Sequence, residues 1–315
     1  MRLRAATRCL IGFLAIPFLV ACEAPLVMDR VEAQRTNPTQ RSDRLQAAAS
    51  NGSALVVVGG AGVVLTSSDG SSWQRQILEG QPFLLDIAAC PDGQFVALAY
   101  GQQIWVGDQN GTEWRVQPME TYETPQALTC DSRARVWVVG SFSTILRTDD
   151  LGETWIETSL DEDLHFTTIQ FVDEQHGFMT GEFGVIVRTT DGGETWENLE
   201  PLADEFYPQD AYFHDLENAW VVGLNGTILS TSDGGASWSS EATGTDAPLY
   251  SITHFDGQLF VVGAFGTVLR KNSEGSWTRV EHNLPIRFYL RGAVALDANR
   301  LLTAGGAGAL FVIET

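Results

Sequence analysis

Side chains that could do acid, base or metal chemistry are plentiful in this sequence, but they do not form a recognisable catalytic set. Any two of the 40 acidic residues could in principle supply the carboxylate pair of a glycoside hydrolase. The five histidines include no pair at the i,i+4 or His-x-His spacing of a zinc site. Arg147, Arg188 and Arg270 recur at equivalent points of a repeat, which favours a structural ladder over a catalytic triad. The sequence therefore predicts no catalytic residue, no metal and no cofactor.

Two of the four cysteines stand at equivalent positions of neighbouring repeats. Cys90 lies 24 residues before Trp114, and Cys130 lies 25 residues before Trp155. Both would end the innermost strand of a repeat, so a disulfide is possible if their Cα atoms approach to about 4.4–6.8 Å. A disulfide bond and a pair of buried free thiols both remain open at this point.

Aromatic residues recur in the segments that lead into the innermost strands and in glycine turns. Both sets of connections emerge at the same end of the repeats, because successive strands alternate in direction. Aromatic side chains dominate interface cores, so we predict a partner-binding face there. The alternative is that each ring packs between its own repeat and the next. The residues are Phe83, Tyr122, Phe166, Tyr207, Tyr250 and Tyr289 in the connections, and Phe142, Phe183 and Phe265 in the turns.

The elements that position these residues repeat about every 40 residues. Intervals of 41, 41, 41, 42 and 39 residues separate the tryptophans at 73, 114, 155, 196, 238 and 277. Each unit contains short β-branched runs bounded by Gly and Asp turns, which are strand and hairpin signals. Four strands per unit without a helical period predict an all-β fold, a β-propeller of four-stranded antiparallel blades.

The ends of the chain predict a seventh blade. Three more strand signals follow the sixth tryptophan unit, at 293–296, 301–305 and 310–314, and no tryptophan strand completes them. Val27–Ala33 could supply the missing outer strand, and pairing of the two chain ends would remove exposed edges. We therefore predict seven blades, closed by the N-terminal strand pairing into the last blade. Six blades with a disordered arm is the alternative.

The N-terminal sequence predicts an export signal followed by a lipid anchor. A basic segment, Met1–Arg8, precedes an apolar run, Leu10–Val20, as in secretory signals. The ending Leu-Val-Ala-Cys22 resembles the lipobox of bacterial lipoproteins, and that resemblance implies cleavage before Cys22 and acylation of its thiol. We predict a signal peptide at 1–21, an anchor, closing strand and linker at 22–44, and the propeller at 45–315. The predicted location is the periplasmic side of a bacterial membrane, with the outer membrane favoured over the inner.

Charge and hydropathy exclude two broad classes of protein, nucleic-acid binders and polytopic membrane proteins. The 315 residues carry a formal net charge of −21, and −24 without the three arginines of residues 1–21. Such a chain is not a general nucleic-acid binder, which needs a positive surface. After residue 21 no apolar stretch is long enough to span a bilayer, which excludes a polytopic membrane protein.

The turns before the tryptophans carry the Asp-box pattern, Ser/Thr-x-Asp-x-Gly-x-Thr/Ser-Trp. In this motif the Asp accepts backbone N–H groups, the Gly adopts positive φ and the Trp packs inward. Sialidases share the motif, but we interpret it here as structural because it closes the outer hairpin of a blade. The motif residues are Asp69 with Trp73, Asp150 with Trp155, Asp191 with Trp196, and Asp233 with Trp238.

The longer unit resembles a narrower family. Ala219–Trp238 and Leu259–Arg270 are similar to the propellers of the photosystem II stability and assembly factor family, which has relatives in non-photosynthetic bacteria. The resemblance covers roughly residues 45–315. It implies a seven-bladed, non-enzymatic assembly protein that binds a membrane-protein client. It does not imply photosynthesis in this case.

These observations predict a lipid-anchored, non-catalytic scaffold whose partner is an envelope or membrane protein, with a transporter as one candidate. A carbohydrate-active enzyme, or a module that binds sugar or lipid, is the alternative on the same fold. A converging pair of acids with raised pKa in a central pocket would favour the enzyme.

Overall fold

A computed structural model describes residues 37–203, 206–282 and 286–315. These residues form 27 β-strands arranged as seven antiparallel sheets. Six sheets have four strands in chain order, and the last sheet has three. The predicted all-β, seven-bladed β-propeller is therefore confirmed, and we number the blades one to seven along the chain.

The strands fall into four positions within the blades. The innermost strands are β1 (Leu45–Ser50), β5 (Leu84–Ala89), β9 (Pro125–Cys130), β13 (Phe166–Phe171), β17 (Pro208–Phe213), β21 (Leu249–Phe255) and β25 (Leu290–Asp297). The second strands are β2 (Leu55–Gly59), β6 (Phe95–Ala99), β10 (Val136–Gly140), β14 (Gly177–Gly181), β18 (Ala219–Gly223), β22 (Gln258–Gly263) and β26 (Arg300–Gly305). The third strands are β3 (Val63–Ser67), β7 (Gln103–Gly107), β11 (Thr144–Thr148), β15 (Ile186–Thr189), β19 (Ile228–Thr231), β23 (Val268–Lys271) and β27 (Leu310–Glu314). The outer strands are β4 (Gln74–Ile77), β8 (Trp114–Pro118), β12 (Ile156–Ser159), β16 (Glu197–Asn198), β20 (Ser239–Glu241) and β24 (Trp277–Arg279).

The second strands explain why the blades stack. Every residue of β2, β6, β10 and β14 is buried, because each sheet packs against a neighbour on both faces. A continuous apolar run bounded by turn residues is the pattern of such a strand. The outer strands have mostly exposed residues, and their short length limits the edge that each blade presents to solvent.

The core is divided among the spaces between neighbouring blades. Seven apolar clusters fill these spaces in the described part of the chain. In the last of them Val57 and Leu65 of blade one pack with Leu302 and Ala304 of blade seven, all fully buried. The ring is therefore closed by side-chain packing between the first and last blades.

The linker before β1 contacts the turn between β26 and β27. Arg44 forms an antiparallel bridge with Gly306, and the Gly308 N–H donates to the Asp43 carbonyl over 3.0 Å. Gly62 makes the same contact with the carbonyl of Pro82, two residues before β5. The linker thus occupies the place of an ordinary connection between blades. The predicted closing strand, Val27–Ala33, lies outside the described residues and stays a prediction.

The helical content of the described residues is confined to single 3₁₀ turns, such as Glu182–Gly184 and Ala264–Gly266. No helix in the ranges that the structure describes is long and apolar enough to cross a membrane. The predicted anchor residue, Cys22, lies outside those ranges.

Candidate binding face and central channel

All seven innermost strands carry a β-bulge at the same point. The register with the second strand shifts after the first residue of each strand, for example between Leu84 and Asp86 and between Leu290 and Gly292. Bulges re-aim side chains and are common at the rims of barrels and near functional sites. The bulged residues are Gln46, Leu85, Gln126, Thr167, Gln209, Tyr250 and Arg291, and all of them line the central channel.

The channel is a polar cavity of about 360 Å³, lined by the innermost strands of all seven blades. Its wall combines amides and hydroxyls with the carboxylates of Asp86 and Asp210 and the guanidinium of Arg291. Cavities of this size can accept a small ligand or part of a peptide.

Asp86 and Asp210 each join two neighbouring blades. Asp86 accepts hydrogen bonds from its neighbour Ile87 N–H (2.8 Å) and from Leu128 N–H of the next blade (3.0 Å). Asp210 accepts the equivalent bonds from Ala211 and from Ile252 of the next blade. The carboxylates keep a partial opening to the channel but are enclosed by protein. Burial therefore raises the pKa of both, and that of Asp210 to about 6.

Sequence reasoning missed these two acids because acidic residues are abundant throughout the chain. A usable signal was present, since each stands in an innermost strand, directly after the bulge.

The turns between second and third strands hold phenylalanines in an unusual backbone conformation. Phe142, Phe183 and Phe265 have φ of +50°, +60° and +56°. Positive φ is unfavourable for a bulky side chain, and the usual residue there is Asn or Gly. Blade five follows the usual pattern, with Asn225 at φ +56° before Gly226. The three phenylalanine side chains are nonetheless 53%, 61% and 70% exposed.

The aromatic residues of the connections divide into exposed and packed members. Tyr122 is fully exposed, and Phe83 and Tyr207 are also exposed. Tyr250 and Tyr289 are half-buried and meet edge to face, with ring centroids 6.5 Å apart. Phe166 is fully buried within β13.

The prediction of partner contact is therefore wrong for Phe166, because its ring packs in the core between blades three and four. Three exposed aromatic or apolar residues of the same face were missed, Tyr100 in the turn of blade two, Leu224 and Phe288. Leu224 precedes the blade-five turn, and Phe288 stands next to Tyr289, so both could have been found by aligning the repeats.

Hydrogen bonds connect several residues of this face near the channel mouth. The Gln46 amide donates to the Tyr289 hydroxyl over 2.9 Å, and burial raises the pKa of that hydroxyl. Burial, together with the nearby Glu182 carboxylate, also raises the pKa of Tyr207. Glu182 in turn accepts the His165 N–H over 3.1 Å.

The Asp-box turns lie at the opposite end of the blades. In three of them one Asp oxygen accepts the backbone N–H four residues later, and the other accepts the hydroxyl of the same residue. These bonds lower the pKa of the carboxyl groups to about 2, and the three aspartates are Asp150, Asp191 and Asp233. Asp69 makes similar bonds within a turn one residue shorter. All of these groups are used within their own turns, which supports the structural interpretation.

Cys90 and Cys130 form a disulfide bond, with their Cα atoms 5.1 Å apart. It joins the C-terminal ends of β5 and β9, the innermost strands of blades two and three. Cys90 is buried in the cluster between these blades. In the part of the chain that the structure describes, no three His, Cys, Asp or Glu side chains are grouped so as to hold a metal ion.

The fold and its repeated turns define a class, the seven-bladed propellers with Asp-box hairpins and a polar central channel. The family model described as Photosynthesis system II assembly factor YCF48 matches residues 106–206 and 201–314, more than half of the sequence. The chain therefore belongs to the YCF48 family.

Solved structures with similar folds include both binding proteins and enzymes. YCF48 from Cyanidioschyzon merolae is 14% identical with a TM-score of 0.69, over 88% of this chain and 97% of that one. A structure of YCF48 bound to a D1 peptide has 14% identity and a TM-score of 0.71, over 89% and 96%. Virginiamycin B lyase from Staphylococcus aureus is 14% identical with a TM-score of 0.75, over 90% and 97%. Likeness at this identity shows the fold alone. No curated protein sequence matches the chain.

Proposed function

We propose that this protein is a lipid-anchored periplasmic scaffold, which binds a membrane or envelope protein during its assembly and does not itself catalyse a reaction. Family membership supports the assembly role, since one YCF48 structure contains a bound D1 peptide. The lipobox at Cys22 supports the anchor and the outer membrane is the favoured site. A transporter is one candidate for the partner.

The observation that carries the proposal is the set of exposed phenylalanines at positive φ. Backbone strain of this kind persists where the surrounding structure imposes it, and it concentrates at functional sites. The strained turns hold the three phenylalanine rings largely in solvent, so these rings add little hydrophobic stabilisation to the fold. A partner that covers the rings would gain the hydrophobic free energy that the free protein lacks.

The charge of the chain favours a basic partner segment. With a net charge of −21, the protein attracts cationic surfaces and increases their association rate at low ionic strength. Contacts at the aromatic face would then determine which cationic segment stays bound.

The proposal is tested by crosslinking the anchored protein in cells and identifying what is recovered. We expect one dominant envelope protein with the natural chain, and at least tenfold less of it with the double variant Phe183→Asn/Phe265→Asn. Asn is the residue that blade five carries at this position, so the turns should remain folded. Leu216→Asn is the matched control, because Leu216 is an exposed apolar residue of the opposite face. Equal recovery with the double variant would overturn the proposal.

The anchor has a separate test. Cys22→Ser should move the protein from the membrane fraction to the soluble fraction, because acyl chains provide the membrane affinity. Continued membrane association of this variant would contradict lipid anchoring.

The two channel acids favour one second candidate, a carbohydrate-active enzyme. Asp86 and Asp210 form a pair with raised pKa in a central pocket, as a general acid would require. Both oxygens of each carboxylate, however, accept a backbone N–H, one from the next residue of the same strand and one from the neighbouring blade. Turnover of a glycoside that is lost in both Asp86→Asn and Asp210→Asn would favour the enzyme.

A further inference from the structure

Arg291 is a cation at the mouth of the channel. It is the bulged residue of β25, and its side chain is exposed. Among the described residues that line the channel, it is the only arginine or lysine. It also forms no ion pair with any residue that the structure describes, unlike Arg75, Arg135, Arg147, Arg188 and Arg300.

The groups around Arg291 are suited to an anionic ligand. Burial raises the pKa of Tyr207, Tyr289 and Asp86, and the charge of nearby Arg291 partly opposes that rise in all three. Gln46, whose amide donates to Tyr289, lines the same channel. A guanidinium has five N–H donors in a planar arrangement that matches a carboxylate, and phenol and amide groups can add further donors.

The acids near Arg291 limit the charge that the site can accept. Each oxygen of Asp86 accepts one backbone N–H, and the described residues include no ion pair between Asp86 and Arg291. Its charge and that of Glu182, which is bonded to the backbone of His165, lower the local positive potential. A singly charged anion therefore fits this mouth better than a doubly charged phosphate, because its charge matches one guanidinium.

We propose that Arg291 is the centre of a carboxylate-binding site at the channel mouth, which holds a carboxylate of the protein partner. The carboxylate comes either from the free C-terminus of the partner or from an acidic side chain. The inference rests on the proposed function, because the aromatic face would hold the flanking residues. The protein has a net negative charge, so it repels a carboxylate of the partner from most of its surface. Attraction at Arg291 alone then fixes the register of the bound segment.

The test uses small carboxylates whose source is defined. N-acetyl-phenylalanine represents a chain terminus, N-acetyl-aspartic acid amide represents a side chain, and N-acetyl-phenylalanine amide is the uncharged control. Binding is measured by NMR, from the shifts of the arginine side-chain Nε–H signals during titration. We expect one or both carboxylates to shift the Arg291 signal in a saturable way, and the amide to leave it unchanged. The carboxylate that binds more tightly shows whether the partner contributes its C-terminus or an acidic side chain.

Two variants with the same change of charge make the test specific. Arg291→Gln should weaken carboxylate binding by about 10- to 100-fold, as expected when hydrogen bonds to a charged group are lost. Arg279→Gln removes an equally exposed arginine from β24 and should change nothing. Equal binding to Arg291→Gln, equal binding of the uncharged amide, or tighter binding of inorganic phosphate would each overturn the inference.

Failure of this inference is distinguishable from failure of the proposed function. The double variant Phe183→Asn/Phe265→Asn should still bind the small carboxylates while losing the cellular partner. If the natural chain captures its partner and Arg291→Gln captures it equally well, the carboxylate site is wrong and the scaffold stands.

Discussion

Phenylalanine at a turn position that suits asparagine is the residue-scale feature that most directly suggests function. Phe183 and Phe265 each precede a glycine that also has positive φ, a backbone pattern that two-residue hairpin turns fill with Asn-Gly. Asn225–Gly226 shows that this chain can use the favoured pair. The phenylalanines therefore act against local stability.

This interpretation predicts that Phe183→Asn and Phe265→Asn stabilise the protein. Each should raise the free energy of unfolding by about 0.5–1 kcal/mol, since asparagine tolerates the left-handed conformation better than a bulky side chain. Urea unfolding at neutral pH measures the change. Asn225→Phe is the reverse control and should destabilise. A loss of stability in both asparagine variants would show that the rings contribute to packing.

Asp210 gives a second prediction at the residue scale, which concerns pH. Its pKa rises from 3.8 to about 6 in the folded protein, so the folded state binds this proton more tightly than the unfolded state. The stabilisation is present below pH 4 and is lost as the pH rises through 6, by on the order of 1–3 kcal/mol. Asp210→Asn cannot ionise and should lack this loss.

The measurement is the free energy of unfolding of both proteins at pH 5 and pH 7.5. Other carboxylates are common to the two proteins, so their contributions cancel in the comparison. An identical change with pH in the natural chain and in Asp210→Asn would contradict the raised pKa.

At the scale of elements, the turns before the tryptophans keep the hydrogen bonds of the Asp-box even where the sequence departs from the Asp-box pattern. Asp108 and Asn272, in the turns before Trp114 and Trp277, accept the N–H groups that an Asp-box aspartate accepts elsewhere. Any short side chain with a carbonyl oxygen at this position can close the turn. More sequences can therefore form this turn than the Asp-box pattern describes.

The disulfide between the first strands of blades two and three predicts a measurable stability difference. Reduction of Cys90–Cys130 opens a loop with a sequence separation of 40 and should cost about 2–4 kcal/mol. A chain with Cys9→Ser and Cys22→Ser should react with a thiol reagent only after reduction. Two reactive thiols in the unreduced, unfolded chain would contradict the bond. Cys90→Ala/Cys130→Ala is the control whose stability should not respond to reductant.

At the scale of the whole molecule, two observed features and one predicted strand bear on how the ring is closed. Packing of Leu302 and Ala304 against Val57 and Leu65 joins blade seven to blade one. The linker from Asp43 adds backbone bonds to the last turn of blade seven. The predicted strand Val27–Ala33 would add a fourth strand to a sheet that has three in the described residues.

Deletion of residues 27–33 tests that strand. If it completes blade seven, its loss should lower the melting temperature by several degrees, because it exposes the edge of β27. Deletion of residues 23–26 is the matched control and should have little effect. Equal melting temperatures for the two deletions would show that packing alone closes the ring.

Much of the architecture follows from the sequence because each blade is a local unit. Strands within a blade are joined by short turns, and the residues that shape those turns, such as Asp191 and Gly193, stand beside the strands they connect. The 40-residue period then sets the number of blades. The first strand of blade one, Leu45–Ser50, was not identified because Gln46-Ala-Ala-Ala49 lacks β-branched residues.

The sequence by itself determined the repeat, the seven blades, the Asp-box turns and the face that carries the aromatic residues. Only the tertiary structure decided that Phe166 is buried while Phe183 is exposed, and that Asp86, Asp210 and Arg291 meet in one channel. The physical reason is distance along the chain. Turns depend on neighbours a few residues away, whereas the channel brings together residues from blades two, five and seven, whose proximity arises only when the ring closes.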